Sequence, residues 1–246
     1  MYLTLKKLTK KVFPAGYLKR YQNKFRYFLF LFYKGNDYKC NVCNSNLSKF
    51  VILDNKSKIC PRCSSSPRAR QLLKYLLENK YLKDKTVLHF SPNYGIKNAI
   101  KKLNTKKYVT SDFEGEFEAD KILNLENIDE PDNSYDLILC FHVLEHIEDD
   151  KKAIQELFRI LKSPGFCLIQ TPFKEGDIYE DESIKTKEER LKHFGQNDHV
   201  RIYSVDGLIK RLETENFTVE KIVLKNPPNN KYALNEKEIF IKATKE

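Results

Sequence analysis

The chain has 246 residues, 41% of them hydrophobic, and a formal net charge of +10. That length allows one full α/β core with a small appendage. The charge excludes a long basic track over the main domain: all nine lysines and arginines from Lys6 to Lys34 precede the first acid, Asp37, and the rest is close to neutral.

Residues 1–36 therefore read as a basic, amphipathic arm. Its apolar run RYFLFLFY (Arg26 to Tyr33) is far too short to span a bilayer. It has no small-residue cleavage site, which speaks against a secretory signal. Three uses remain open: packing on the domain through the aromatic face, lying on an anionic membrane surface, or gripping nucleic-acid phosphates. The expected location is cytoplasmic, with peripheral contact at the inner face of the membrane if the second use holds.

Next come CNVC (Cys40, Cys43), sixteen residues, and CPRC (Cys60, Cys63). Each C-x-x-C turn aims two thiolates at one point, and two turns complete a tetrahedron around Zn²⁺. All four ligands are cysteine, so no position is left for water and the ion is structural. Disulfides are the alternative, but nothing points to export, and cytosolic thiols stay reduced. Residues 37–65 are expected to form a zinc-ribbon-like module. Cys140 and Cys167 sit in apolar runs and read as core.

Ser64 to Leu82 has helical periodicity with Ser and Pro at its start. Strand-like runs then alternate with helix-like ones. TVLHF precedes a loop, SPNYG, and the helix IKNAIKKL. KYVTSDF and EADKILNL follow as second and third strands, and YDLILCF as the fourth. DDKKAIQELFRIL is an amphipathic helix stopped by SPG, before the fifth strand FCLIQTPF. VDGLIKRLETENF is a helix, and FTVEKIVL and EIFIKAT are the last two strands. The pattern predicts a doubly wound, mostly parallel sheet of seven strands.

Ligands of such sheets lie beyond the C-terminal strand ends. Polar residues gather there: Ser91, Asp112, Asn124, His142 and Gln170. Asp112, about twenty residues after the first turn, is placed to accept from two ribose hydroxyls. No P-loop and no three-glycine dinucleotide turn occurs, and only Gly95 remains in the first loop. A ligand without pyrophosphate fits better, so S-adenosylmethionine is preferred to NAD.

The segments VLHFSPNYG, YVTSDFEGEFEAD and NSYDLILCFHVLEHIEDDKKAIQELFRILKSPGFCLIQTP together resemble class I S-adenosylmethionine-dependent methyltransferases of the type-11 group. The resemblance is strong over Thr86 to Thr171 and weaker beyond. A narrower bacterial set shares the CxxC…CPRC module and an FGQ-x-DHVR segment, here His193 to Arg201. It implies a Rossmann-like methyltransferase domain over residues 66–246. Phe90, Ser91, Pro92 and Gly95 would line the methionine end. Asp112 would hold the ribose and Phe113 the adenine face. Asn124 and Leu125 would meet the adenine edge, with Phe141 and His142 on the sulfonium side. The first loop departs from the group's usual G-x-G.

Methyl transfer is an in-line displacement from an activated donor, so alignment and exclusion of water do most of the work. A hydroxyl acceptor gains from a base. His142 is the first candidate and His199 the second, though His142 reads equally well as a residue that only shapes its loop. His146 is expected to point away from the crevice. Gln196, Asp198, His199 and Arg201 are candidates for acceptor recognition, with a structural salt-bridge network as the alternative. NPPNN, Asn226 to Asn230, is a turn and not the catalytic loop of amino-group DNA methyltransferases, which must follow strand four. The leading expectation is O-methylation of a small-molecule or glycan- or lipid-linked acceptor. An RNA methyltransferase with a zinc module and a non-catalytic binding protein on the same fold are the alternatives.

Overall fold

The computed structural model describes residues 25–115 and 118–246. The expectations for residues 1–24 of the arm lie outside the described residues. Two compact units account for the chain. The first holds the residues up to Lys80, Asn93–Lys102 and Lys225–Glu238; the second holds Tyr81–Pro92, Leu103–Leu224 and Ile239–Glu246.

In the first unit, residues 25–31 are helical. Leu29 and Tyr33 are buried, while Tyr27, Phe28, Leu31 and Phe32 are exposed. Two small antiparallel hairpins follow, β1 (Tyr38–Lys39) with β2 (Asn46–Leu47) and β3 (Val51–Ile52) with β4 (Lys58–Ile59). Helix α1 (Pro67–Glu78) starts where the sequence signals it. Ser66 Oγ accepts from the Ala69 amide, and Pro67 sits at the first helical position, where its missing N–H is no loss. Helix α2 (Tyr94–Ile100) is capped by Asn93.

Arg70 on α1 is fully buried. It donates to the carbonyls of Lys58, Ser65, Tyr232 and Ala233 at 2.6–2.9 Å, and its guanidinium lies 4.2 Å from the Phe50 ring centroid. Five planar donors let one side chain satisfy several backbone acceptors that would otherwise be buried without partners. Arg70 thus fastens the ribbon to the Tyr232–Ala233 turn.

The second unit is built on a six-stranded sheet of β5 (Thr86–Phe90), β6 (Lys107–Ser111), β7 (Tyr135–Phe141), β8 (Leu161–Gln170), β12 (Thr218–Lys225) and β13 (Lys237–Lys245). Its order is β12-β13-β8-β7-β5-β6. β6, β5, β7 and β8 run parallel, and β13 is antiparallel to β8. Among the described residues this sheet has six strands, one fewer than the seven expected. EADKILNL makes a single parallel bridge, Lys121 to Ser111, and then turns at Asn124. Backbone pairing there is short: the Thr110 carbonyl accepts from the Asp120 and Lys121 amides and the Lys121 carbonyl from the Asp112 amide, while the Asp120 carboxylate accepts from the Thr110 amide and hydroxyl. β8 also begins earlier than expected: Leu161 enters it directly from helix α3 (Asp150–Ile160), and the SPG stop lies within the strand.

Along the central strands alternate residues face opposite sides. Leu88, Phe90, Ile138, Cys140, Cys167 and Ile169 join a core with Ala153, Ile154, Leu157 and Ile160 of α3. Leu208 and Leu212 of helix α5 (Val205–Thr214) complete it. Val87, His89, Leu137 and Leu139 on the other side are equally buried. His89 is there as a neutral core residue. Burial pushes its imidazole down to about 3, and Nδ1 pairs with the Tyr108 hydroxyl at 3.0 Å.

The remaining pieces are short: β9 (Phe173–Lys174), β10 (Tyr179–Glu180), helix α4 (Lys187–Phe194) and β11 (Arg201–Ser204). β11 pairs with both β9 and β10. Helix α4 carries a full capping box, Thr186 with Glu189, and ends on Gly195 at φ +81°.

Candidate functional site

Four parallel strands end on one edge of the sheet, and the side chains there are close. At the end of β5, Ser91 adopts φ +46° and donates to the buried Asp112 carboxylate at 2.9 Å. Asp112 follows β6, one residue past Ser111, which is registered against Phe90. Phe113, beside it, is 57% exposed. At the end of β7, His142 adopts φ +56°, and its amide donates to the Gln170 carbonyl at the end of β8. Ser91 and His142 are two of eleven non-glycine residues with left-handed backbone among the described residues. Asn124 accepts from the Glu126 amide, and Leu125 is buried beneath it.

Gly95 lies in the first unit, and its reason for being glycine is there. A Cβ at this position would stand 2.5 Å from the Cys63 carbonyl, so α2 can approach the second knuckle only without a side chain. That close approach accounts for the glycine independently of any cofactor.

His142 is held by a partner the sequence reading did not single out. Its Nδ1 lies 3.0 Å from Glu145 Oε1. Glu145 is 1% exposed, in the short 3₁₀ turn Leu144–His146. A spacing of three residues in a tight turn brings the two side chains together, which is the signal that was available. His146 turns to Asp198 (Nδ1 to Oδ2, 3.4 Å) and packs edge-on against His199, ring centroids 4.7 Å apart.

The FGQNDHVR residues divide. Gln196 and Asp198 are exposed, whereas His199 and Arg201 are buried. Arg201 donates to Glu180 at 2.9 Å and to the carbonyls of Ile147 and Glu148. Burial opposes its charge, and the fields of Asp150 and Glu180 help restore it, holding the guanidinium above its ordinary range. Arg201 does not stand out as a clamp for an anion. It braces the Leu144–Glu148 loop within a network that includes Asp150, Tyr203, Arg211 and Glu180, the structural alternative for this residue.

In the first unit, Cys40 and Cys63 have sulfurs 3.7 Å apart, and Cys43 and Cys60 3.8 Å. All four lie within 4.8 Å of one another, and none is in a disulfide. A zinc–sulfur bond of about 2.3 Å gives a tetrahedral edge of about 3.8 Å, so the donor set fits the ion. Ser65 and Ser45 hydroxyls sit 3.2–3.3 Å from the sulfurs. Hydrogen bonding from the other thiols pulls Cys40 toward thiolate, and the same coupling pushes Cys60 and Cys63 up. These four cysteines could hold a structural zinc.

A family model described as "Methyltransferase domain" matches residues 65–222. The chain belongs to that family. Its central, mostly parallel sheet has the Rossmann-like fold of S-adenosylmethionine-dependent methyltransferase domains. A probable S-adenosylmethionine-dependent methyltransferase of Mycolicibacterium smegmatis is 32% identical over 101 residues, 39% of this chain and 34% of that protein. Ajmaline N-methyltransferase of Rauvolfia serpentina is 33% identical over 61 residues, 25% of this chain and 21% of its own length. The matched stretches thus span about a third or less of these curated relatives. Among solved structures, YcgJ of Bacillus subtilis shares the fold at TM-score 0.50 and 16% identity, covering 71% of this chain and 98% of its own. No helix among the described residues is long and apolar enough to cross a membrane.

Proposed function

We propose that the protein transfers a methyl group to a hydroxyl of a small-molecule or glycan- or lipid-linked acceptor, with His142 as base. The observation that supports this most is the His142–Glu145 pair at the end of β7, on the edge that also carries Asp112. A carboxylate on Nδ1 orients the imidazole and leaves Nε2 as the basic nitrogen. The His142 side chain is 19% accessible, while Nε2 itself is buried. S-adenosylmethionine supplies an activated methyl on sulfur. Asp112 would hold its ribose, Phe113 and Asn124–Leu125 its adenine, and Phe90 to Pro92 with Phe141 the methionine end. His142 would take the acceptor proton at Nε2, with His199 the reserve candidate and Gln196 and Asp198 the exposed groups available to an acceptor.

The test is turnover against a panel of phenols, glycosides and lipid-linked sugars. Methyl ether products are expected, and His142→Asn should lower kcat about 10²–10⁴-fold with cofactor affinity within threefold. Asparagine accepts the left-handed backbone, so the fold is kept. Products formed only on amines or RNA, or an unchanged kcat, would overturn the reading.

The protein is further proposed to work in the cytoplasm, touching the inner membrane face through its arm. The exposed Tyr27, Phe28, Leu31 and Phe32, beside the basic Arg26 and Lys34, suit an interfacial position. Sedimentation with anionic vesicles should fall at least tenfold when residues 1–36 are removed; equal sedimentation of both forms excludes this role.

A further inference from the structure

The same unit contains a second constellation, which shares Glu145 with the His142 pair and includes His199. One carboxylate oxygen of Glu145 and one ring nitrogen each of His146 and His199 lie within 4.8 Å of one another. Glu145 and His199 are 1% and 3% exposed. Glu145 Oε1 is engaged by His142, but Glu145 Oε2 and His199 Nε2 are buried with no hydrogen-bond partner. His199 bonds the Phe194 backbone through its ring, and because Nε2 is the unpartnered nitrogen, that bond uses Nδ1–H. The proton is thereby fixed on Nδ1, and Nε2 presents a lone pair.

Two buried acceptors that share a small space repel and lack donors, an arrangement that proteins rarely leave uncompensated. A cation between them satisfies both. The outer contacts follow the pattern of metal centres, where a ligating histidine gives its second nitrogen to a carbonyl or carboxylate. His199 has the Phe194 carbonyl in that role, and Asp198 stands 3.4 Å behind His146. Val200 N donates to the Glu145 carbonyl at 2.9 Å, which locks the two ligand-bearing loops together.

We infer that Glu145, His146 and His199 form a second metal site, for a divalent ion of the zinc and cobalt class. Two imidazoles and one carboxylate suit these borderline ions rather than calcium or magnesium, which prefer oxygen throughout. The side chains leave at least one coordination position for water or an oxygen ligand. The inference stands on these contacts and not on the assignment of His142 as base.

The experiment uses the full chain without an affinity tag, equilibrated with buffered micromolar zinc, desalted and analysed for metal. Two zinc ions per chain are expected, one at the cysteines and one here. His199→Ala and Glu145→Gln should each retain one, and in chains prepared with a single zinc, at the cysteines, the two substitutions should weaken calorimetric cobalt affinity at least 50-fold. His193→Ala, outside the cluster, should retain two. One ion per chain in the unaltered protein, with no cobalt uptake, overturns the site and leaves a bound water as the bridge between the two acceptors. Because metal content is read without turnover, this outcome is separable from failure of the methyl-transfer reading.

Discussion

Asp112→Asn should weaken binding of S-adenosylhomocysteine about 100-fold, with little change in melting temperature. The carboxylate closes β6 and accepts from Ser91 Oγ at 2.9 Å. Hydrogen bonds to a charged group contribute about 1.5–3 kcal/mol each. Two ribose hydroxyls donating to Asp112 would lose most of that on neutralisation, and roughly 2.7 kcal/mol is a hundredfold in Kd. The amide keeps the volume and can still accept from Ser91, so the fold is preserved. Titration calorimetry on both proteins decides the matter. Equal affinities would mean that the ribose lies elsewhere, and the rest of the cofactor assignment along this edge would fail with it.

The parallel strands were legible because each is a short apolar run bounded by turn residues, a periodicity that burial on both faces imposes. The polar strand ends were legible for the complementary reason, since buried runs do not stop in Ser, Asp and His without something to face. EADKILNL misled because its alternation resembles a strand, while its backbone pairs with β6 only around Thr110 to Asp112 before turning at Asn124. Gly95 has a packing reason that the sequence does not show. A glycine after the first strand can serve a ligand or a neighbouring backbone, and only coordinates reveal the Cys63 carbonyl 2.5 Å from its missing Cβ. Arg201 and His199 are two residues apart in a polar run, and nothing local separates a buried brace from an exposed contact. Glu145 was the largest omission. Its significance arises from His142, His146 and His199 converging on it, and the last of these is 54 residues away in the chain.

Cys60→Ser should remove one zinc per chain and unfold the ribbon around it. The hairpins of this region are two residues long on each strand, too short to stand alone. Their buried side chains are few, and two of the most deeply buried are the ligands Cys40 and Cys60 themselves. Structural zinc contributes an apparent ~10–16 kcal/mol at neutral pH, comparable to the whole stability of a typical domain, so loss of one thiolate leaves little to order these hairpins. Hydrogen exchange measures the outcome locally. Amides of Cys40, Leu53 and Cys60, which donate to Ser45, Ser57 and Ser65, should lose protection at least 100-fold. Amides along β7 and β8 should keep theirs. The same pattern is expected when a strong chelator strips the unaltered chain. Retained protection at Cys40 and Leu53 after complete removal of zinc would show that packing of Leu47, Phe50 and Val51 suffices, and that the four sulfurs are held at tetrahedral spacing by the fold rather than the fold by the metal.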